Sequence, residues 1–239
     1  MLKRNGIVIA VLMLCVAVFS SGIQSAERYQ WKLEKTKDGC QMYTTTVPGK
    51  EYIASKCVCV IPAKMEVIGV ILRDIPNFPE WMNDCKATKL LKTVDDVNDV
   101  FIFWFRQHVP LLTDRDMVLK SSVVQNYNKG WSRITANLTK EMNYDVNKGY
   151  VRMPFFTSEW LLEWIDREHT RATFMIDPDL GKGLPVGMSN GIIKDTPYKT
   201  MMNLMKMVKL QKYIDSASKS KYRTMVENGI KAGNLKDKK

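Results

Sequence analysis

The chain has 239 residues, with 36 Lys or Arg against 25 Asp or Glu, a formal net charge of +11, five cysteines and only two histidines. That length suits one domain able to bury most of its apolar surface. The basic balance, in a chain that reads as exported, points to an anionic membrane surface or to solubility rather than to nucleic acid.

The first residues are MLKRNGIVIAVLMLCVAVFSSGIQSAE. Lys3 and Arg4 give a positive start, residues 7–19 are an unbroken apolar run, and Gly22, Ser25 and Ala26 offer small residues for a peptidase. The pattern reads as a signal peptide over 1–26, cut after Ala26, with Gly22 as the alternative. The other reading is an uncleaved anchor, and the run is short for one. Cys15 follows Leu14 rather than a small residue, which is unlike a lipoprotein. The mature chain is expected to be soluble and exported, in a bacterial periplasm. Losing Lys3 and Arg4 leaves 34 basic against 25 acidic residues, a net +9.

Asp38-Gly39 is a turn signal, and residues 40–46 are β-prone. Val47-Pro48-Gly49-Lys50 is a second turn, and residues 52–61 alternate as the partner strand of a hairpin. Pro62 opens a helical stretch whose apolar face is Met65, Ile68, Val70, Ile71 and Leu72. Residues 77–82 (NFPEWM) form a short aromatic elbow. Strands are predicted over 85–94, 100–108, 116–125, 131–139, 149–153, 159–165 and 171–176, with short connections that make neighbours antiparallel. Gly181-Lys182-Gly183 ends the sheet. A long helix is predicted from 184 to about 226, interrupted at Pro197, with Met188, Ile192, Met201, Leu204, Met205 and Val208 on one side. Residues 231–239 read as a disordered basic tail. The fold class is α+β: one curved antiparallel sheet with a long helix laid across it, an arrangement that encloses a cavity.

Catalytic signals are thin. No GxSxG, HExxH, CxxC or glycine-rich phosphate loop occurs. His169 sits in a charged hairpin turn and His108 at the end of an apolar strand. Cys57 and Cys59 share a strand face without a histidine nearby in sequence, so no metal and no cofactor is expected. In Thr113-Asp114-Arg115-Asp116, strand alternation sends Asp114 and Asp116 to one side and Arg115 to the other. That suits a structural corner in which Asp114 takes backbone amides and Arg115 reaches a carboxylate or carbonyls elsewhere.

The residues DGCQMYTTTVPG (38–49), VILRDI with PEWM (70–75, 79–82), TDRDMV (113–118), TRATFMIDP (170–178), and GLPVGMSN with TPYKTMMNLM (183–205) resemble, in that order, the START lipid-transfer family. The resemblance covers about 31–208 and implies the helix-grip fold, a structural Asp114-Arg115-Asp116 corner, and a hydrophobic ligand in an internal cavity. One departure is Val109-Pro110-Leu111, where members often carry Pro-aromatic-Pro.

The expected ligand is phospholipid or sterol-like, and the expected chain is a monomeric, non-enzymatic binding or transfer protein in transient contact with anionic membrane. The alternatives are a cyclase or aromatase on the same fold, and an interaction module with a filled core. Candidate ligand contacts are Trp81, Phe103, Phe105, Arg106, Arg152, Phe155, Trp160, Met188, Ile192 and Met201. Phe155 and Phe156 are read as a turn, folded under the sheet or exposed as a lip. Arg106 and Arg152 either meet a ligand or pair with core carboxylates. If Pro48 and Gly49 are the central turn residues, Cys40 faces Cys57 and an oxidising compartment would join them; the alternative is four free buried thiols.

Overall fold

The computed structural model describes residues 29–110, 112–144 and 149–238; the expected signal peptide lies outside them. The elements run β1 (Lys32–Lys37), β2 (Cys40–Thr46), β3 (Ile53–Ile61), α1 (Met65–Arg73), β4 (Cys85–Asp95), β5 (Val100–Gln107), β6 (Arg115–Asn126), β7 (Trp131–Leu138), β8 (Val151–Arg152), β9 (Phe155–Trp164), β10 (Thr170–Asp179), α2 (Val186–Met207), α3 (Gln211–Ser218) and α4 (Lys221–Lys231). One sheet holds the strands in the order β1-β2-β3-β10-β9-β7-β6-β5-β4, with β8 paired to the start of β6. Every pairing is antiparallel except that of β6 with β8. The α+β, helix-grip architecture read from sequence is the one observed.

Asp38 and Gly39 both take positive φ, 51° and 74°, so the first hairpin closes on two residues and adds β1 to the expected plan. In the second hairpin the Lys50 amide donates to the Val47 carbonyl at 3.0 Å, and Gly49 has φ 77°. Glu51 and Tyr52 then follow unpaired, and the ladder resumes at Thr46 opposite Ile53. The register is therefore two residues away from the one expected. Cys40 faces Cys59 and is disulfide-bonded to it, not to Cys57. A two-residue slip keeps each side chain on its face. Cys57 thus stays buried beside the bridge as a free thiol, its Sγ 3.6 Å from that of Cys59.

Helix α2 lies on β3 and β10, and Pro197 is inside it. Proline has no amide to donate to the carbonyl four residues back. That carbonyl, on Ile193, instead accepts from the Ser55 hydroxyl of β3 at 2.6 Å. The Ile53 amide donates to Asn190 Oδ1 at 3.0 Å. A break in the helical ladder has become a tie between helix and sheet. The buried side of α2 runs through Ser189, Ile193, Pro197, Thr200, Met201 and Leu204. This phase is one residue away from the expected one at the start of the helix, and it leaves Met188 48% exposed.

The predicted helix over 184–226 is three helices. A straight continuation would carry Tyr213, Ala217, Tyr222 and Val226 into solvent. The breaks fold them back, so that all four are buried, and Ser220 caps α4 by accepting from the Arg223 amide. The tail expected to be disordered also docks. Gly233, at φ 72°, turns the chain, Leu235 packs with Trp164 and Val226, and the Lys238 amide donates to the Ile165 carbonyl at 2.8 Å. Phe155 and Phe156, read as part of a turn, are the first two residues of β9.

Strand β5 is apolar on both faces because each face meets a partner. Its Phe101, Phe103 and Phe105 face the interior. Ile102 and Trp104 pack with Val118, Met142, Tyr144 and Tyr150 on the outside.

Candidate functional site

Between the sheet and helices α1 and α2 lies a cavity that leaves about 110 Å3 for the centres of water-sized molecules. The register explains the void. Ser121 of β6, Ala136 of β7 and Ser158 of β9 sit side by side across the sheet. None is long enough to reach the helices, so the middle of the sheet has a low floor. Phe101 continues that row at one side and Ile176 at the other. Phe103, Trp160, Leu119 and Phe174 form taller walls, and Ile192, Ile193, Thr196 and Thr200 form the roof along α2. The lining is mainly apolar, with the Ser121, Ser132 and Ser158 hydroxyls among its polar points.

One end of the cavity is closed by charge. Asp99, in the β4–β5 turn, is 3% exposed. Its carboxylate accepts from Arg73 of α1, from Lys221 Nζ at 2.8 Å and from the Tyr222 hydroxyl at 2.8 Å. The Arg73 guanidinium also lies over the Phe101 ring, 5.1 Å from its centroid. Burial pushes the Tyr222 phenol up to about 12. Burial, and then the Arg73 charge, hold the Lys221 ammonium below its ordinary value.

The other end is the Asp114-Arg115-Asp116 corner. Arg115 is 1% exposed and donates to the carbonyls of Thr113, Leu180 and Lys182, the latter two at 3.1 Å. It thereby ties the β5–β6 loop to the segment that leads into α2. Asp114 accepts from Arg106 at 2.7 Å, from His108 at 2.9 Å and from the Val109 amide at 3.3 Å. Burial pushes its carboxyl up, but the hydrogen bonds from His108, Arg106 and Val109 outweigh this and hold it below the usual range. Asp116 accepts from Trp104 Nε1 at 2.9 Å and from Arg152 through both oxygens. These side chains form an outward-facing network beside the cavity. Around it, Leu112, Val186 and Met188 are exposed apolar residues.

Of the residues singled out from sequence, Phe103, Phe105, Trp160 and Ile192 line the cavity. Trp81 and Met201 do not; both are buried behind its wall, Trp81 with its ring edge-on to Phe78 at 5.8 Å. Arg106 and Arg152 are corrected to partners of Asp114 and Asp116. Phe155 points outward under Lys50 Nζ, 3.5 Å from the ring centroid, and Phe156 takes the inward position. Met188 is at the surface. The sequence reading missed Ser121, Ala136, Ser158, Arg73, Asp99 and Tyr222. Small residues at inward positions of otherwise apolar strands are the signal for the first three.

The START domain family model matches residues 14–213, and the chain belongs to that family. It is 26% identical to an uncharacterized protein of Pseudomonas aeruginosa, over 82% of this chain and 95% of that one. Its fold is shared by solved structures, among them these two. A STAR-related lipid transfer protein from Xanthomonas axonopodis has TM-score 0.68 and 23% identity, over 75% of this chain and 99% of that chain. Human STARD10 has TM-score 0.69 and 18% identity, over 84% and 82%.

Proposed function

We propose that this protein binds one lipid molecule, phospholipid or sterol-like, in the cavity and carries it between membranes without chemical change. The observation that carries this reading is the mainly apolar space above Ser121, Ala136 and Ser158. Burial of an acyl chain there contributes about 0.8 kcal/mol per methylene, which offsets extraction from a bilayer. Among the described lining residues, Asp99 is the one carboxylate, and it is already engaged by three donors. That supports binding over a cyclase reaction, which needs titratable groups free to move protons. Exposed Leu112, Val186 and Met188 make the corner end the proposed entrance. The basic chain would meet anionic headgroups there. We place the mature chain in the periplasm as a monomer; intact mass of the envelope fraction should then start at Glu27.

The direct test is organic extraction and mass spectrometry of the protein purified from its own envelope. The expected result is one lipid per chain, lost in Ser158→Leu, which raises the low floor into the void. A wild-type protein that carries no lipid and takes up none from vesicles would end the reading.

A further inference from the structure

The family match ends at residue 213, but the chain goes on to build α4 from Lys221–Lys231. Its second residue, Tyr222, is 6% exposed and lines the cavity. The ring lies against α1 at Gly69. A Cβ placed there would come within 3.2 Å of Tyr222 Cδ2. Glycine inside a helix costs about 1 kcal/mol relative to alanine, so an interior glycine needs a reason, and here the reason is room for this ring. The Tyr222 hydroxyl donates to Asp99, which also holds Arg73 and Lys221. On its far side, Tyr222 borders a surface groove between α1, α3 and α4 that Arg73 and Lys221 share. Tyr222 and Arg73 are thus the partition between the apolar cavity and that groove.

We infer that Tyr222, supplied by a segment beyond the family match, is the end wall that sets the length of ligand the cavity accepts. The inference rests on the lipid-binding reading and deepens it. A ligand chain entering from the corner end runs with the strands, crosses the row of small residues and stops at the phenol ring. Longer chains gain nothing, because their last carbons have no apolar surface left to cover. Removing the ring connects the cavity to the groove and lengthens the apolar path.

The test measures affinity of the full mature chain for a homologous series of straight-chain fatty acids, laurate to behenate. In the wild type, affinity should rise by about fourfold per added methylene and then level off. In Tyr222→Ala the rise should continue for several more carbons before levelling. Tyr222→Leu keeps part of the apolar packing, decides the matter if the alanine variant does not fold, and should level off at an intermediate length. Levelling at the wild-type length in the folded variants overturns the end-wall role and leaves lipid binding standing. A wild type that binds none of the acids overturns both.

Discussion

The two ends of the cavity are both built from charges, but they use them differently. At the α4 end, one buried carboxylate gathers cations and a phenol from two separate elements, α1 and α4, and Asp99, Arg73 and Tyr222 form part of the wall itself. At the corner end, Arg115 spends its donors on backbone carbonyls, and the carboxylates around it pair outward. The first arrangement closes a space. The second fixes a loop and a helix start while leaving apolar side chains at the rim without cover. Segments with few buried apolar contacts are the ones that open at low free energy. The contrast therefore assigns rigidity to one end and access to the other.

Breaking the closed end should have the largest effect. Asp99→Ala leaves Arg73 and Lys221 without their shared partner, and removing one member of a buried charge set costs about 3–5 kcal/mol. Urea unfolding should show a loss in that range. A loss below about 1 kcal/mol would mean that the charges close nothing.

Arg115→Lys comes next. A single ammonium cannot replace a planar fork aimed at three carbonyls, and each buried carbonyl left unpaired costs about 1–3 kcal/mol. A loss of about 2 kcal/mol is expected. Hydrogen exchange should quicken in the β5–β6 loop and the first turn of α2 and stay unchanged in α4. Equal quickening at both ends would erase the distinction between them.

The corner end was more legible in sequence than the α4 end. Asp114, Arg115 and Asp116 are contiguous, so strand alternation alone separates their roles. Asp99, Arg73 and Tyr222 come together across 123 residues between Asp99 and Tyr222, and no local pattern announces that. Ser121 and Ser158 were overlooked because a hydroxyl in a strand reads as solvent-facing; only the pairing of β6, β7 and β9 shows that they share one row. The hairpin register failed for a small reason, since two residues past the turn stay unpaired. Leu235 is one apolar residue in a lysine-rich run, too little to signal docking.

Acid should move the two ends in opposite directions. Burial raises the Glu66 carboxyl, which sits beside Arg223 of α4. Its contribution to stability is full below the unfolded value of about 4.3 and is lost as pH rises through the raised folded value. Asp114 has the opposite sign. Its contribution is present above about 3.9 and is lost as pH falls through its depressed folded value. Lowering the pH from neutral should first tighten the α4 end, then loosen the corner. Melting temperature against pH should lose the first rise in Glu66→Gln and part of the final fall in Asp114→Asn, since Glu34, Asp95 and Asp166 are also held below their ordinary values. An unaltered acid fall in Asp114→Asn would remove the corner from the account.

The smallest effect on stability is expected at the rim. Met188 is 48% exposed on the first turn of α2, so Met188→Asp should change unfolding free energy by less than about 0.5 kcal/mol. Its effect belongs to the membrane-bound state. If the corner end is the entrance, Met188 enters the interface, where an added negative charge is repelled by anionic lipid and a buried apolar contact is lost. Binding to vesicles containing phosphatidylglycerol should then fall several-fold. Ile214 of α3 provides the matched comparison. It is 41% exposed and equally apolar, but it stands on the helices that pack over the closed end. Ile214→Asp carries the same charge change and should leave vesicle binding nearly unchanged. If the two variants bind alike, the lip is not the docking surface, and the assignment of access to the corner end is wrong even though the cavity is real.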